Sequence, residues 1–188
     1  MNFIKKFLLQ PLLKSKTRKN IVTQPVVVNL AEKKCIGYRI TTSFKGNQKK
    51  KDIPPFYHDI YDNDKLKILR QDNDMNMYCI FNIHENGKDF DYYVAVENKM
   101  DKHGKNYSEI TLPKGQYVKI EFMKRNHTAA GQIVGYTKLW IESNGYEGQN
   151  KPPFILYDNR FHRNYKEFGC KNGNYLGDPV AALYVPVK

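Results

Sequence analysis

Fourteen Tyr, ten Phe and one Trp lie among 188 residues. They are the side chains with the clearest chemical potential. A Tyr or Trp offers a flat apolar face and one polar atom, which suits planar ligands and cation–π contacts worth about 0.5–2 kcal/mol. A dry core has no use for so many phenols, because each buried hydroxyl needs a partner. Nine positions form the candidate ligand-binding set: Tyr57, Tyr78, Phe81, Tyr93, Tyr117, Trp140, Tyr157 and Tyr184, together with the carboxylate of Glu97. Glu97 follows Tyr93 by four residues, and Glu121 follows Tyr117 by four. On a strand, that spacing puts acid and ring on one face.

Other chemistries find little support. The histidines are His58, His84, His103, His127 and His162, and none stands at metal-ligand spacing from another His or a Cys, so no metal site is expected. Cys35, Cys79 and Cys170 are too few and too scattered for a disulfide scaffold, which points to reduced thiols in a cytoplasmic protein. A Cys–His nucleophile would have to assemble in space. The chain has no Gly-x-Ser-x-Gly, no phosphate-binding glycine loop and no dinucleotide fingerprint, so neither a cofactor nor a catalytic residue is assigned. No apolar run approaches the roughly 20 residues that span a bilayer.

The net charge of +12 divides unevenly. Lys5, Lys6, Lys14, Lys16, Arg18 and Lys19 place half of it in the first 20 residues, which contain no acid. Residues 1–24 read as a basic amphipathic tail, with Phe3, Ile4, Phe7, Leu8 and Leu12 along one side. It would be a surface-docked extension or a contact with an anionic membrane. Lys45 and Lys49–Lys51 read as a solvated loop. Zinc-finger spacing, an RNA-recognition signature and aromatic interleaving are all missing, which argues against nucleic acid as a direct partner.

From Pro25 onward the chain reads as one unit said twice. Val26–Val28 and Cys35–Ile40 are rich in β-formers. Asp52-Ile53-Pro54 opens a helix in which Phe56, Tyr57, Ile60 and Tyr61 recur at helical spacing. Met77–Asn82 and Phe90–Glu97 flank a hairpin signal at Glu85-Asn86-Gly87-Lys88. The second pass runs through Gly115–Phe122 to a helix capped by Thr128, with Ile133, Thr137, Trp140 and Ile141 as its stripe. That helix stops at Asn144-Gly145. Phe154–Asp158 and Val180–Val187 are its last strands, joined by a long glycine-rich connection over 164–179. Tyr92–Val96 parallels Leu183–Val187, and Tyr38 parallels Tyr117. The expected fold is α+β: duplicated βαββ units forming a pseudo-two-fold antiparallel sheet with two main helices over 25–188. Such a pseudo-dimer leaves a cleft along its own axis, a favoured place for small ligands.

Four segments carry a family resemblance: Ile53-Pro54-Pro55-Phe56-Tyr57, Leu112–Tyr117, Leu139–Glu147 ahead of Pro153–Tyr157, and Leu183–Val187. They resemble the GyrI-like small-molecule-binding domain, the effector-binding domain of bacterial AraC-type and MerR-type transcription regulators. The resemblance implies two βαββ modules and a cleft for a small aromatic or cationic ligand. It also implies a free-standing bacterial binder without an attached DNA-binding domain, serving transcription regulation or multidrug and toxin sequestration. It allows two alternatives. One is a hydrolase of reactive small molecules, with Glu97 as the best acid–base candidate. The other is an interaction module for an acidic protein such as gyrase. Drug-sensing members carry a Glu where this chain has Ile155, two residues before Tyr157. Glu97 or Glu121 would have to replace it to attract a cation.

Overall fold

A computed structural model describes residues 19–70, 75–99, 106–171 and 173–188. The amphipathic reading of residues 3–12 lies outside them. Eight strands form one antiparallel sheet: β1 (Val26–Leu30), β2 (Lys33–Ser43), β3 (Met77–Ile83), β4 (Asp89–Glu97), β5 (Ser108–Leu112), β6 (Gly115–Met123), β7 (Phe154–Tyr157) and β10 (Val180–Val187). A small hairpin pairs β8 (Cys170–Lys171) with β9 (Asn174–Tyr175). The helices are α1 (Gln48–Asp62), α2 (His127–Ser143) and α3 (Asn159–Phe168), with 3-10 turns at Lys45–Asn47 and Lys67–Leu69.

The strand order is β1-β6-β10-β7-β3-β4-β2-β5. It is symmetric about the β7–β3 seam, as duplicated βαββ units require. One row across six strands shows the symmetry in side chains. Lys119, Tyr184 and Phe154 lie on one side, and Ile80, Tyr93 and Arg39 mirror them on the other. Tyr93 and Tyr184 therefore correspond, as the sequence parallel predicts. Tyr38 and Tyr117 do not. Tyr38 packs with the helix-side core and Tyr117 with the opposite cluster, and a two-fold axis normal to the sheet cannot exchange its faces.

Each unit also lends a strand to the other. β1 leads into β2 through two residues, yet pairs with β6 of the second unit. β5 leads into β6 through two residues, yet pairs with β2 of the first. Linkers this short can join opposite edges of an eight-stranded sheet only if the sheet curls until those edges meet. The curl has a helix-free interior, filled by Cys35, Tyr78, Ile80, Tyr93, Leu112, Tyr117, Phe154 and Tyr184. The outer face carries α1, α2 and α3 over the larger core.

Local signals act largely as expected, with three corrections. Asn86 Oδ1 accepts from the Lys88 and Asp89 amides at 2.8 and 2.9 Å, and Gly87 takes φ 63°, closing the β3–β4 hairpin. α1 begins at Gln48 rather than Asp52, so Lys49–Lys51 are helical and Pro54 and Pro55 lie inside the helix. Asp52 is held instead by Gln48 and Thr42, at 2.7 and 2.6 Å. The α2 cap is Asn126, whose side chain accepts from the Ala129 amide at 2.9 Å, rather than Thr128. The connection after β7 contains a third helix, α3. Asp158 caps it through the Arg160 amide at 2.9 Å, and it ends at Gly169.

Candidate functional site

The curl separates the nine predicted ligand-binding residues. Tyr78, Tyr93, Tyr117 and Tyr184 line its interior, and Glu97 shares that face because it lies opposite Cys35. Tyr57, Phe81 and Tyr157 sit in the helix-side core. Trp140 stacks on Tyr146 (6.0 Å, 11°) in a third cluster with Val118, Ile141 and Val187. A single ligand cannot touch all nine, because the sheet stands between the two main groups.

The interior group is packed against itself. Tyr184 stacks on Phe154 at 4.6 Å and 7°, Tyr117 meets Phe154 edge-on at 5.9 Å, and the Tyr117 hydroxyl donates to the Pro113 carbonyl at 2.8 Å. Its acids are neutralised. Glu97 pairs with Lys33, whose ammonium stands 5.9 Å from the Tyr78 ring. Glu121 accepts both Nη atoms of Arg160 at 3.1 Å and pairs with Lys119 at 2.9 Å. The Arg160 guanidinium holds the Glu121 carboxyl below the usual range, against the opposing effect of burial. Ile155 lies on the helix face opposite Cys79. Neither Glu97 nor Glu121 can replace a carboxylate at that position, because both point through the other side of the sheet.

Among the described residues a cavity opens on the helix face, where the two units meet. A cavity of about 200 Å³ is lined by Ile60, Tyr61, Asp64, Leu66, Arg70, Met75, Met77, His162, Tyr165 and Lys166. Met77 belongs to the last register pair of the seam, opposite Tyr157. One wall comes from α1 and the turn after it, where Leu66 and Leu69 are each 1% exposed and anchor the chain. The other wall is α3, which belongs to the second unit. Its Phe161 and Tyr165 fall one turn apart on the side that packs inward.

Rings connect the cavity to the seam. Tyr57 stacks on Tyr61 (5.5 Å, 8°), Tyr61 stacks on His162 (5.5 Å, 12°), and Tyr165 meets Tyr61 edge-on at 4.7 Å. Beneath them Phe161 and Tyr175 fill the seam, with Phe161 4.5 Å from the Tyr157 ring centre and 5.5 Å from that of Tyr175. The expected open cleft along the axis is thus packed with rings. Room remains at its end.

Hydrogen bonds fix the polar lining. The Tyr157 carbonyl, 3.1 Å from His162 Nε2, accepts a hydrogen bond, so Nε2 carries the proton and Nδ1 accepts from the Tyr61 hydroxyl at 2.8 Å. The Tyr165 hydroxyl donates to Asp62 at 2.8 Å. Arg70 donates through Nη1 to Asp64 at 3.0 Å, while its buried Nε has no partner. Burial first, and the Arg70 charge second, hold His162 below its ordinary value of 6.5. The folded state therefore binds fewer protons than the unfolded one. Its stability from neutral His162 is present above pH 6.5 and is lost as pH falls through the folded pKa. Melting curves of His162→Gln and wild type should converge as pH drops from 7 to 5. Parallel curves would mean that His162 does not titrate against folding.

Among the described residues no group of three or more His, Cys, Asp or Glu is placed to hold a metal ion. No described helix is long and apolar enough to cross a membrane. Of four residues at the cavity, Tyr61 is legible in the α1 stripe and His162 as a histidine without metal-ligand spacing, whereas Arg70 and Tyr165 carry no signal of a site in the sequence. The signal for α3 was available: an Asp at the cap, rings at 161, 165 and 168, then Gly169.

A duplicated βαββ sheet, with helices on one face and a cavity where the units meet, defines the effector-binding class of fold. The chain belongs to the Cass2 family of integron-associated effector binding proteins, whose pattern matches residues 27–187. Solved structures agree on the fold. SAV2435 bound to tetraphenylphosphonium is 18% identical, with a TM-score of 0.65 over 88% of this chain and 94% of that one. The C-terminal domain of EcmrR is 15% identical, with a TM-score of 0.56 over 89% and 99%. An integron cassette protein of Vibrio cholerae is 10% identical, with a TM-score of 0.55 over 87% and 95%. No curated protein sequence matches the chain significantly.

Proposed function

We propose that this protein binds a small aromatic effector at the end of the β3–β7 seam, between α1 and α3, in the service of regulation or sequestration. The cavity carries the reading: ring-walled, fed by both units, and furnished with a few fixed polar groups, as ligand sites generally are. Family membership and a neighbour's complex with tetraphenylphosphonium support it. At about 200 Å³ the space suits one ring, since an apolar cavity of roughly 150 Å³ takes benzene. A four-ring ligand would need α3 and Tyr175 to move aside.

The hydrolase alternative requires a carboxylate with a raised pKa at the site. Glu121 is lowered by Arg160 instead, and Glu97 is tied to Lys33 on the far side of the sheet. No described residue favours that alternative, or gyrase as a partner. A thermal-shift panel of single-ring aromatics and planar dyes tests the proposal. A ligand that binds the native state at 100 times its Kd adds about 2.7 kcal/mol, or about 5–10 °C for a chain of this length. Single rings should raise the midpoint, and Tyr61→Ala should remove the rise. If every compound leaves the midpoint unchanged at millimolar concentration, the cavity is not a ligand site.

A further inference from the structure

A second surface lies at the far end of β3 from the cavity. β3 runs from Met77, in the cavity lining, to Ile83, about 20 Å along the strand. Phe44 and Ile83 are exposed there, at 40% and 42%. They belong to one patch, because Ile83 registers with Phe90, whose ring stacks on Phe44 at 4.4 Å and 25°.

Lysines fringe this patch. Lys45 follows Phe44, the Lys49 ammonium stands 4.7 Å over the Phe44 ring, and the Lys88 carbonyl accepts from the Phe44 amide at 2.8 Å. Lys50 and Lys51 continue the fringe in the first turn of α1. Residues 43–52 and 83–90, all of them described, hold five lysines, three acids and no arginine. Two of the acids are engaged within the protein. Asp52 accepts from Thr42 and Gln48 at 2.6 and 2.7 Å, and Asp89 accepts from Asn86 at 2.9 Å. The third is Glu85, in the hairpin turn.

Apolar side chains ringed by cations mark a contact surface, and the geometry separates the partners that could use one. A nucleic-acid base needs a free ring face to stack on, whereas Phe44 has Phe90 stacked on it and Lys49 over it. Protein interfaces favour Arg and are depleted in Lys, the reverse of this fringe. An anionic bilayer asks only for apolar side chains that reach the headgroup layer, and for lysines whose long stems hold their charges at its surface.

We infer that this rim docks on an anionic lipid surface, with Phe44 and Ile83 entering the interface and Lys45, Lys49 and Lys88 over the headgroups. The contact does not depend on the proposed ligand site.

The test is co-sedimentation of the full chain with phosphatidylcholine vesicles, plain or carrying about 30% phosphatidylglycerol. Binding to the anionic vesicles should be about tenfold tighter or more, and most of it should be lost at about 0.5 M salt. Lys45→Gln, Lys49→Gln and Lys88→Gln together should weaken it by roughly tenfold or more, since each lysine at such a surface contributes about fivefold. Ile83→Ser should weaken it several-fold with little change in melting temperature, because the side chain is exposed. The basic N-terminal stretch is the competing source of attraction. Lys5→Gln, Lys6→Gln, Lys14→Gln and Lys16→Gln together should therefore retain more binding than the rim triple variant. The reverse order would move the contact to the tail and overturn the proposal. Equal binding to plain vesicles, or rim variants that bind as the wild type does, would also overturn it. So would a thymidine oligonucleotide or polyglutamate that binds more tightly than the anionic vesicles and is lost with the same lysines.

Discussion

Gly37→Ala should lower the melting temperature by about 10 °C. Gly37 lies in β2, between Ala95 of β4 and Ser108 of β5. A Cβ there would stand 2.2 Å from the Val94 carbonyl oxygen and 2.6 Å from the Ala95 Cα. Both obstacles are backbone of a central strand, so no side-chain rotation relieves the clash. The β2–β4 pair must spread there, and with two backbone contacts under 3 Å the cost falls at the upper end of overpacking, about 3 kcal/mol. For a chain of this size each kcal/mol is worth about 2–4 °C. Gly131→Ala is the matched control. It lies in α2, nothing is within 4 Å of its added Cβ, and helix propensity should make it neutral or stabilising by up to about 1 kcal/mol. Equal melting points for the two variants would show that the β2–β4 approach is not tight.

Phe161→Ala should cost about 3–5 kcal/mol, the usual toll of deleting a buried ring. Phe161 is 0% exposed and touches Tyr61, Tyr157, Tyr165 and Tyr175 at centroid distances of 6.2, 4.5, 6.2 and 5.5 Å. Losing it leaves an apolar void beside Tyr61, at the cavity wall. Such voids stay dry and accept apolar guests. Two-ring aromatics should therefore stabilise the variant more than the wild type, partly restoring its melting point. A loss below about 1 kcal/mol by denaturant titration would mean that α3 is not a fixed part of the core. An unaltered preference for single rings would mean that the void and the cavity are separate.

Strand periodicity and the hairpin chemistry of Asn86-Gly87 made the repeat legible before any coordinates, because both are local. The exchange of β1 and β5 was hidden. Val26–Val28 reads as a strand whatever it pairs with, and a two-residue linker does not reveal that its strands lie at opposite sheet edges. The site was half legible. Parity on one strand was sound, since Tyr93 with Glu97 and Tyr117 with Glu121 do share faces. Parity between strands cannot be read without a register, so Tyr78 and Tyr157 were grouped across a sheet that separates them. Arg70 carried no signal at all: its importance comes from burial beside α3, which a glycine-rich connection disguised.

The exchanged strands join the fates of the halves. Neither repeat encloses a hydrophobic interior from its own sequence, because each borrows an edge from its sibling. Had the gene begun as a single copy, its product would have needed a twin with crossed arms to fold. Carried on one chain, the two halves meet without the concentration dependence of a dimer, and the two sides of the axis need not be alike. They are not alike: β3 and β4 are joined by a short turn, whereas α3 lies between β7 and β10 and supplies the wall of the cavity.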